Sequence, residues 1–236
     1  MPAGRVRKIS DVAFDTSDEP WFFARDNASA IEQNWQRATA QNPKFFNGTI
    51  FLMSAFGITD TTARAKFLRT NFKSYLFWRE CGWPEADVLD GFGSALVRAS
   101  DGGILLARQN AGHVNAGLVY LPGGFIDERD AGPDGRIDID RSVDRELLEE
   151  TGLGPDVVTR SPGYYVTESR PQMSFAVCYQ ANIAAEDLKR RVEAFIATSH
   201  DGELGEIIVA RGPADIEQLD MAPFARQLLS AVFEGL

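Results

Sequence analysis

The sequence predicts an α/β fold: a sandwich with a mixed sheet, preceded by an N-terminal α+β extension. After Asp90, segments with strand-like alternation and segments with helical spacing interleave, as in folds that pack helices on a sheet. Before that point, aromatic and polar residues mix without a sustained period. We therefore expect an extension over residues 1–88, packed on a second domain over residues 89–236. A length of 236 residues accommodates both parts.

The first half of the predicted extension carries weak local signals. Residues 1–20 are polar and mixed, which predicts an irregular lead-in. Ile31, Trp35 and Ala38 lie at helical spacing and predict a short helix. The dipeptide Asn42-Pro43 then marks a turn.

The second half of the extension carries one strand signal and one helix signal. The run from Phe45 to Met53 is strand-like and contains Asn47-Gly48, a pair that favours tight hairpin turns. It predicts a hairpin or a bulged strand. Thr59-Asp60 can cap a helix, which we expect to run to about Arg79.

The second domain is predicted to alternate strands and helices separated by turn residues. The strands are expected at residues 92–99, 104–108, 117–121, 157–168, 173–183 and 204–210. One helix is expected to begin after Asp138 or Asp140 and to end at Gly152, because acidic residues cap helix starts and glycine ends helices. Two further helices are expected at residues 185–198 and 223–233.

The composition excludes several classes of protein. A formal net charge of −10 argues against a general nucleic-acid or membrane-surface binder, which needs a basic surface. Cys81 and Cys178 do not form a CxxC pair, so neither a disulfide framework nor a zinc site is predicted. No apolar run approaches the ~18 residues of a membrane span. Without a signal-like apolar start, a cytoplasmic location is the expectation.

Three carboxylates cluster in the predicted helix that ends at Gly152. Glu146, Glu149 and Glu150 follow Arg145, and residues spaced i, i+3 and i+4 share one helix face. Their mutual repulsion is relieved by a cation, and Mg²⁺ prefers carboxylate oxygens with water and substrate phosphates as its other ligands. The cluster therefore predicts a divalent metal site for an anionic substrate.

The segment 145–153, with the sequence Arg-Glu-Leu-Leu-Glu-Glu-Thr-Gly-Leu, resembles the second half of the Nudix box, and Pro122-Gly123-Gly124 resembles the loop that opens it. The resemblance implies the Nudix α/β/α sandwich for residues 89–236. One feature departs from the pattern: 20 residues separate Gly124 from Arg145, where the family usually has about 13. The upstream glutamate of the box is therefore missing. Counting forward places Asp130 there, and counting back places Ile137.

The resemblance also implies the roles of the site residues. Glu146, Glu149 and Glu150 would bind Mg²⁺, or alternatively Mn²⁺, together with a backbone carbonyl of Gly123. Arg145 would hold a glutamate by a charge-assisted hydrogen bond. Arg145, Glu149 and a general base would then form the catalytic group.

The general base has three candidates in the later part of the chain, which are Glu168, Glu203 and Glu206. Glu206 is chosen because it lies where a late loop would fall, beside an apolar strand. The only histidines are His113 and His200.

Two arginines are expected to bind the substrate phosphates, Arg108 and Arg170. Arg170 is the stronger candidate, because it lies on a loop before a strand. Lys73 is a weaker one. A solvent-exposed role is the commoner fate of such side chains.

The extra residues of the lengthened box suggest a second cation site. The segment 130–141 is similar to an EF-hand loop at Asp130, Asp134 and Asp138. It lacks a ligand at Gly132 and carries Arg141 where a bidentate glutamate is needed. These losses disfavour Ca²⁺, and a plain acidic turn is the alternative.

The expected activity is hydrolysis of the pyrophosphate bond in a nucleoside diphosphate linked to another group. The segments 42–48 and 68–72, with the lengthened box, are similar to Nudix hydrolases of UDP-glucose and UDP-galactose. This favours a nucleotide sugar, cleaved to UMP and a sugar 1-phosphate. ADP-ribose is the alternative substrate, and a nucleotide-sensing module without catalysis is the alternative of another class. The expected partner is a small nucleotide, with no nucleic acid and no membrane; a homodimer is left open.

Overall fold

A computed structural model describes residues 5–199 and 202–236. The strands are β1 Arg5–Ile9, β2 Asp11–Ser17, β3 Thr49–Thr59, β4 Thr62–Asn71, β5 Asp90–Arg98, β6 Ile104–Gln109, β7 Val119–Tyr120, β8 Arg136–Ile137, β9 Val158–Ser169, β10 Gln172–Ala181 and β11 Leu204–Ala210. The helices are α1 Phe22–Asp26, α2 Ala28–Gln41, α3 Phe72–Glu80, α4 Ile139–Thr151, α5 Ala185–Ile196, α6 Pro213–Glu217 and α7 Pro223–Phe233.

The larger sheet is mixed, as predicted. Its strand order is β1-β9-β10-β5-β6-β11, with β7 paired to β6. Only β5 and β10 run parallel, and the other neighbours are antiparallel. The strands and helices predicted for the second domain are present within a few residues of their expected bounds. The α/β sandwich is confirmed.

Helices cover both faces of the larger sheet. On one face α7 packs through Phe224, Leu228 and Val232. On the other face α4 and α5 contribute Val143 and Leu188 to a second core. The result is a three-layered α/β/α arrangement, with apolar side chains of the sheet buried on both sides.

A second sheet of four strands, in the order β3-β4-β2-β8, shares the core of α4 and α5. Strand β3 shows why it is buried on two sides. Phe51 and Met53 face the shared core, whereas Ile50 and Leu52 pack with Trp78 of α3 in a separate cluster. Alternate side chains of a strand point to opposite faces, so this sheet forms a layer between α3 and the larger sheet.

The predicted helix from Thr59 to Arg79 is wrong over its first half. Residues 59–62 contain the turn between β3 and β4, and the helix begins only at Phe72. Ala63, Ala65 and Phe67 are buried while the residues between them are exposed, which is the period of two that a strand requires. Asn71 caps α3, and its side chain accepts a hydrogen bond from the Ser74 amide at 3.1 Å.

The predicted irregular lead-in is also wrong over the described residues from Arg5 onward. Strand β1 pairs with β9 at the edge of the larger sheet, and β2 pairs in parallel with β4. Both pairings join residues more than 50 positions apart, which no local pattern indicates. The N-terminal segment therefore contributes a strand to each sheet.

The residues added to the box also join the second sheet. Strand β8 lies between Asp130 and α4, and it pairs with β2 at Phe14 and Asp15. The lengthened box thus contacts the N-terminal extension directly. In the described part of the chain, Cys81 and Cys178 are free thiols, and no helix is both long and apolar enough to cross a membrane.

Candidate active site

Helix α4 holds its acidic residues in a defined register. Asp138 caps the helix and accepts a hydrogen bond from the Arg141 amide at 3.0 Å. Gly152 ends it in the left-handed conformation, with φ of 68°. Val143 and Leu147 are buried against the sheet. Glu146 and Glu150 are four residues apart and therefore share one face of the helix. That face is turned toward the loop after β7.

That loop approaches the larger sheet so closely that only glycine fits. Gly123 has φ of 153°, and a Cβ atom there would lie 2.3 Å from the Gly93 carbonyl oxygen. The Gly123 amide donates a hydrogen bond of 3.0 Å to Glu150 Oε2. The loop and the helix are therefore joined at the most deeply buried of the three helix glutamates.

The acidic residues line a cavity of about 680 Å³. Its polar wall includes Glu146, Glu149, Glu150, Glu203, Asp127 and Arg129. Its apolar wall includes Phe45, Phe46, Ile50, Phe72, Tyr75, Phe92 and Phe125. Several of these apolar residues belong to the N-terminal extension, so the extension forms one side of the cavity.

Burial and like charge perturb two of the carboxyls strongly. Burial raises the pKa of Glu146 to about 7, although the neighbouring Arg145 lowers it. Burial also raises the pKa of Glu150 well above its ordinary value, and the nearby Glu146 and Glu203 carboxyls raise it further. Such a group of carboxyls favours protonation or a bound cation.

Arg145 is the centre of an ion-pair network. It contacts Glu146 at 2.5 Å and Glu149 at 3.3 Å through Nη1. Through Nη2 it reaches both oxygens of Asp130, at 3.0 and 3.1 Å, and Asp127 at 3.4 Å. The network ties the acidic helix to the start of the lengthened box.

The lengthened box has no upstream glutamate, but it has a buried aspartate at the unshifted position. Asp130 is fully buried in its side chain and binds Arg145. The Asp127 amide and the Ser142 hydroxyl also donate to it, each at 2.9 Å. Asp130 therefore fixes the arginine of the acidic helix to the start of the added residues.

The same contacts bear on the EF-hand similarity. Both oxygens of Asp130 already accept hydrogen bonds from protein groups. Within the loop, the Gly132 amide donates to the Arg136 carbonyl at 2.7 Å. The described loop is thus a hydrogen-bonded turn leading into β8.

The three candidate general bases lie in different places. Glu203 lines the cavity beside Glu150. Glu206 is exposed on β11 and forms an ion pair of 2.9 Å with Arg108 on β6. Glu168 lies on β9, opposite Arg5. Of the described candidates, the structure brings only Glu203 to the acidic helix.

The predicted phosphate-binding residues are not on the cavity wall that the described residues form. Arg108 also donates to the Gly117 carbonyl at 2.9 Å. Arg170 donates to the Ala86 carbonyl at 3.1 Å. Lys73 binds Glu32. Among the histidines, His113 lines the cavity, and His200 lies outside the described residues.

The residues behind the nucleotide-sugar resemblance cap a helix. The Asn47 side chain accepts a hydrogen bond of 2.8 Å from the Lys73 amide, and Asn71 accepts one from Ser74. Both bonds satisfy amides at the start of α3. These asparagines therefore position α3, whose Phe72 and Tyr75 line the cavity.

A family model described as the NUDIX domain matches residues 90–231, which is more than half of the chain. The chain belongs to the Nudix family. The matched residues include the whole acidic helix and the glycine loop. None of the curated proteins compared with the chain matches it.

Several solved structures are similar to part of the chain at low identity. The MutT protein from Methanosarcina mazei Go1 is 20% identical over 62% of this chain and 93% of its own, with a TM-score of 0.42. A C. elegans Ap4A hydrolase is 13% identical over 61% and 99%, with a TM-score of 0.43. Shewanella oneidensis NrtR, solved with a 27mer DNA, is 26% identical over 58% and 57%, with a TM-score of 0.38.

The donor chemistry of this Nudix protein fits a hard divalent cation. Burial raises the pKa values of Glu146 and Glu150, and a cation that takes carboxylate oxygens, as Mg²⁺ does, would offset that cost. A cation would also offset the charge of Glu203. Among the described residues, no three metal-binding side chains already converge on one point, and Arg145 contacts both Glu146 and Glu149.

Gly124→Ala is expected to lower activity much more than stability. An alanine Cβ there would lie 2.7 Å from Glu146 Cδ, the far end of a flexible side chain, and the backbone φ of Gly124 is not left-handed. The Glu146 carboxyl would move while the loop stays in place. We expect at least about a tenfold loss of kcat/KM, in line with misplaced metal ligands, with an unfolding midpoint close to wild type.

The matched control is Gly57→Ala, because a Cβ at Gly57 meets nothing within 4 Å. This variant should keep wild-type kinetics. Equal activity of both variants would contradict the placement of Glu146 against the glycine loop.

Proposed function

We propose that the protein is a Mg²⁺-dependent pyrophosphatase that hydrolyses a nucleoside diphosphate linked to another group. The products would be a nucleoside monophosphate and a phosphorylated second moiety. One observation supports this most directly: Glu150, Glu146 and Glu203 are crowded together on the wall of a 680 Å³ cavity, beside the Gly123 amide. A cavity of this size accommodates a nucleotide-sized ligand.

Each group in the site has a role in this reaction. Bound Mg²⁺ would neutralise the charged phosphate oxygens and stabilise the departing phosphate. Glu146, Glu149 and Glu150 would hold it, with the backbone of Gly123 beside them. Arg145 orients Glu146 and Glu149 through its two contacts.

We propose Glu203 as the general base, in place of the predicted Glu206. A base must lie within hydrogen-bond reach of the attacking water. Glu203 lines the cavity next to Glu150, whereas the Glu206 carboxylate is engaged with Arg108.

The leading substrate class is a nucleotide sugar such as UDP-glucose, and the second is ADP-ribose. The similarity of the extension to that of UDP-sugar hydrolases supports the first. The aromatic wall of the cavity suits the flat base of either. The net charge of −10 disfavours nucleic acid as the substrate, and the homodimer stays a prediction.

The decisive experiment is turnover of a nucleotide panel with phosphate-product identification. We expect release of a nucleoside monophosphate from UDP-glucose or ADP-ribose in Mg²⁺ or Mn²⁺, and loss of activity in EDTA that added Mg²⁺ restores. Saturable binding of these ligands without any product would instead identify a nucleotide-sensing module. Indifference to the base across competing substrates would argue against UDP-sugar selectivity.

A further inference from the structure

Asp90 is a buried carboxylate in the wall of the cavity that the reaction above does not use. It is the first residue of β5 and is only 2% exposed. The cavity wall around it includes Phe72, Tyr75 and Phe125, and the Phe125 ring contacts the other two rings edge to face. A buried carboxylate in an aromatic wall lowers the stability of the protein unless its oxygens accept hydrogen bonds.

The two oxygens of Asp90 differ. Oδ2 accepts hydrogen bonds from the Tyr75 hydroxyl at 3.0 Å and from Gln172 Nε2 at 3.2 Å. Oδ1 is buried and has no partner among the described residues. Because buried polar atoms are nearly always paired, the free oxygen points to a ligand group that donates a hydrogen bond.

The electrostatic surroundings of Asp90 are consistent with a missing hydrogen-bond donor at Oδ1. Burial raises the pKa of Asp90 to about 6, although hydrogen bonds from Gln172 and Tyr75 and the charge of Arg79 lower it. The carboxylate is thus largely ionised at neutral pH and lacks one donor. A neutral donor such as a hydroxyl or amino group completes it without placing a second charge in the cavity.

The position of Asp90 identifies which part of a substrate it reaches. Gly93, whose carbonyl lies against Gly123 of the glycine loop, is three residues further along β5. A strand rises about 3.3 Å per residue, so Asp90 lies ~10 Å from the site of chemistry. That separation corresponds to a ring at the end of a nucleoside diphosphate derivative, beyond the phosphates.

We propose that Asp90 Oδ1 accepts a hydrogen bond from a hydroxyl or N–H group on the terminal ring of the substrate, and that Asp90 determines specificity for that ring. The donor is either a hydroxyl of the sugar or a donor of the base, which is the exocyclic amine in adenine and the N3–H group in uracil. The aromatic wall packs against the ring while Asp90 selects the donor. This inference rests on the proposed function.

Asp90→Asn tests the acceptor without changing the shape of the side chain. Tyr75 and Gln172 both donate to the Oδ2 position, so the amide oxygen takes that place and the NH₂ group takes the Oδ1 position. The variant thereby converts the free acceptor into a donor. We expect kcat/KM to fall roughly 10- to 100-fold, the size of one hydrogen bond to a charged group, with the change in KM rather than kcat.

The matched control is Asp140→Asn. Asp140 also accepts a hydrogen bond from a tyrosine, Tyr164, and also has an unpartnered Oδ1 among the described residues. It lies outside the cavity wall. Asp140→Asn should retain the wild-type KM, and thermal unfolding of both variants checks that each is folded.

Substrate analogues reveal the donor in the wild-type protein itself. The best substrate of the panel is compared with forms that lack one hydroxyl each and with a form whose base lacks its donor, deaminated for adenine or N3-methylated for uracil. One removal should lower kcat/KM about 10-fold or more in wild type and much less in Asp90→Asn. Loss on removing the base donor assigns the base, and loss on deoxygenation assigns the sugar. If no single removal lowers kcat/KM more than about threefold, the inference is overturned.

Failure of this inference is separable from failure of the proposed function. If wild type is active and Asp90→Asn has the same KM and analogue preference, only the role of Asp90 is overturned. If wild type hydrolyses nothing, calorimetric titration with UDP-glucose and ADP-ribose decides. Binding to wild type and Asp140→Asn but not to Asp90→Asn supports the role of Asp90; equal binding to all three, or no binding to any, overturns it.

Discussion

Replacing Glu150 by glutamine is expected to lower kcat by at least about 100-fold while leaving the protein folded. Glutamine keeps the hydrogen bond from Gly123 but loses the charge that a divalent cation needs. Mutation of residues that only support metal ligands already lowers activity about 10- to 100-fold, so loss of a ligand should lower it at least as much. Glu150 is 9% exposed, and burial raises its pKa. Removing this buried charge should therefore not lower the unfolding midpoint.

Glu149→Gln should show a similar loss of kcat for the same reason, although Glu149 is half-exposed and binds Arg145 and Arg129. The Mg²⁺ concentration at half-maximal rate, measured in each variant, separates weaker metal binding from a slower chemical step. Glu193→Gln is the control, because Glu193 is an exposed acid on α5 paired only with Lys189 in the described contacts. Wild-type rates in Glu149→Gln or Glu150→Gln would remove the metal-site assignment.

Asp130→Ala is expected to lower the free energy of unfolding by about 3 kcal/mol, because buried donors lose their acceptor at a cost of ~1–3 kcal/mol each. Arg145 is 16% exposed in its side chain and Asp130 is fully buried. Asp130 also accepts hydrogen bonds from Ser142 and the Asp127 amide. Activity should fall as well, since Arg145 would no longer be fixed against Glu146.

Denaturant unfolding measures the first effect, and steady-state kinetics in the remaining folded protein measures the second. Asp134→Ala is the control in the same loop. Its exposed carboxylate forms an ion pair of 3.7 Å with the Arg136 side chain and accepts a hydrogen bond of 3.2 Å from the Arg136 amide. Exposed pairs of this kind contribute at most about 1 kcal/mol. Equal unfolding midpoints for the two variants would show that the Asp130–Arg145 pair does not stabilise the fold.

The extension shows where sequence patterns succeed and where they fail. Helix α2 was predicted because Ile31 and Ala38 lie on one buried face, a local property of the sequence. At strand β4 two local signals conflict. Thr59-Asp60 favours the start of a helix, whereas the alternation of Ala63, Ala65 and Phe67 favours a strand, and the structure has the strand. Strand β1 has no strong local pattern at all; it exists because β9 offers an edge with which it can pair.

In the site, too, local patterns predict some residues and long-range contacts decide the others. Glu146, Glu149 and Glu150 could be predicted as a group, because helical geometry alone places residues three and four apart on one face. Asp130 and Glu203 could not, since their contacts with Arg145 and Glu150 depend on how a loop and a distant strand end return to the helix. For Asp130 the sequence offers one indication, which is that forward counting from Gly124 reaches it.

The sequence by itself determined the fold class, the acidic helix with its caps, the glycine loop and the family, because each depends on residues within a few turns of one another. Only the tertiary structure decided that Asp130 binds Arg145 of the box. It also decided that Glu203, and not Glu206, lies beside Glu150, and that Asp90 lines an aromatic cavity. The physical reason is chain separation: those contacts join segments 15 or more residues apart, and the packing of whole layers brings them together.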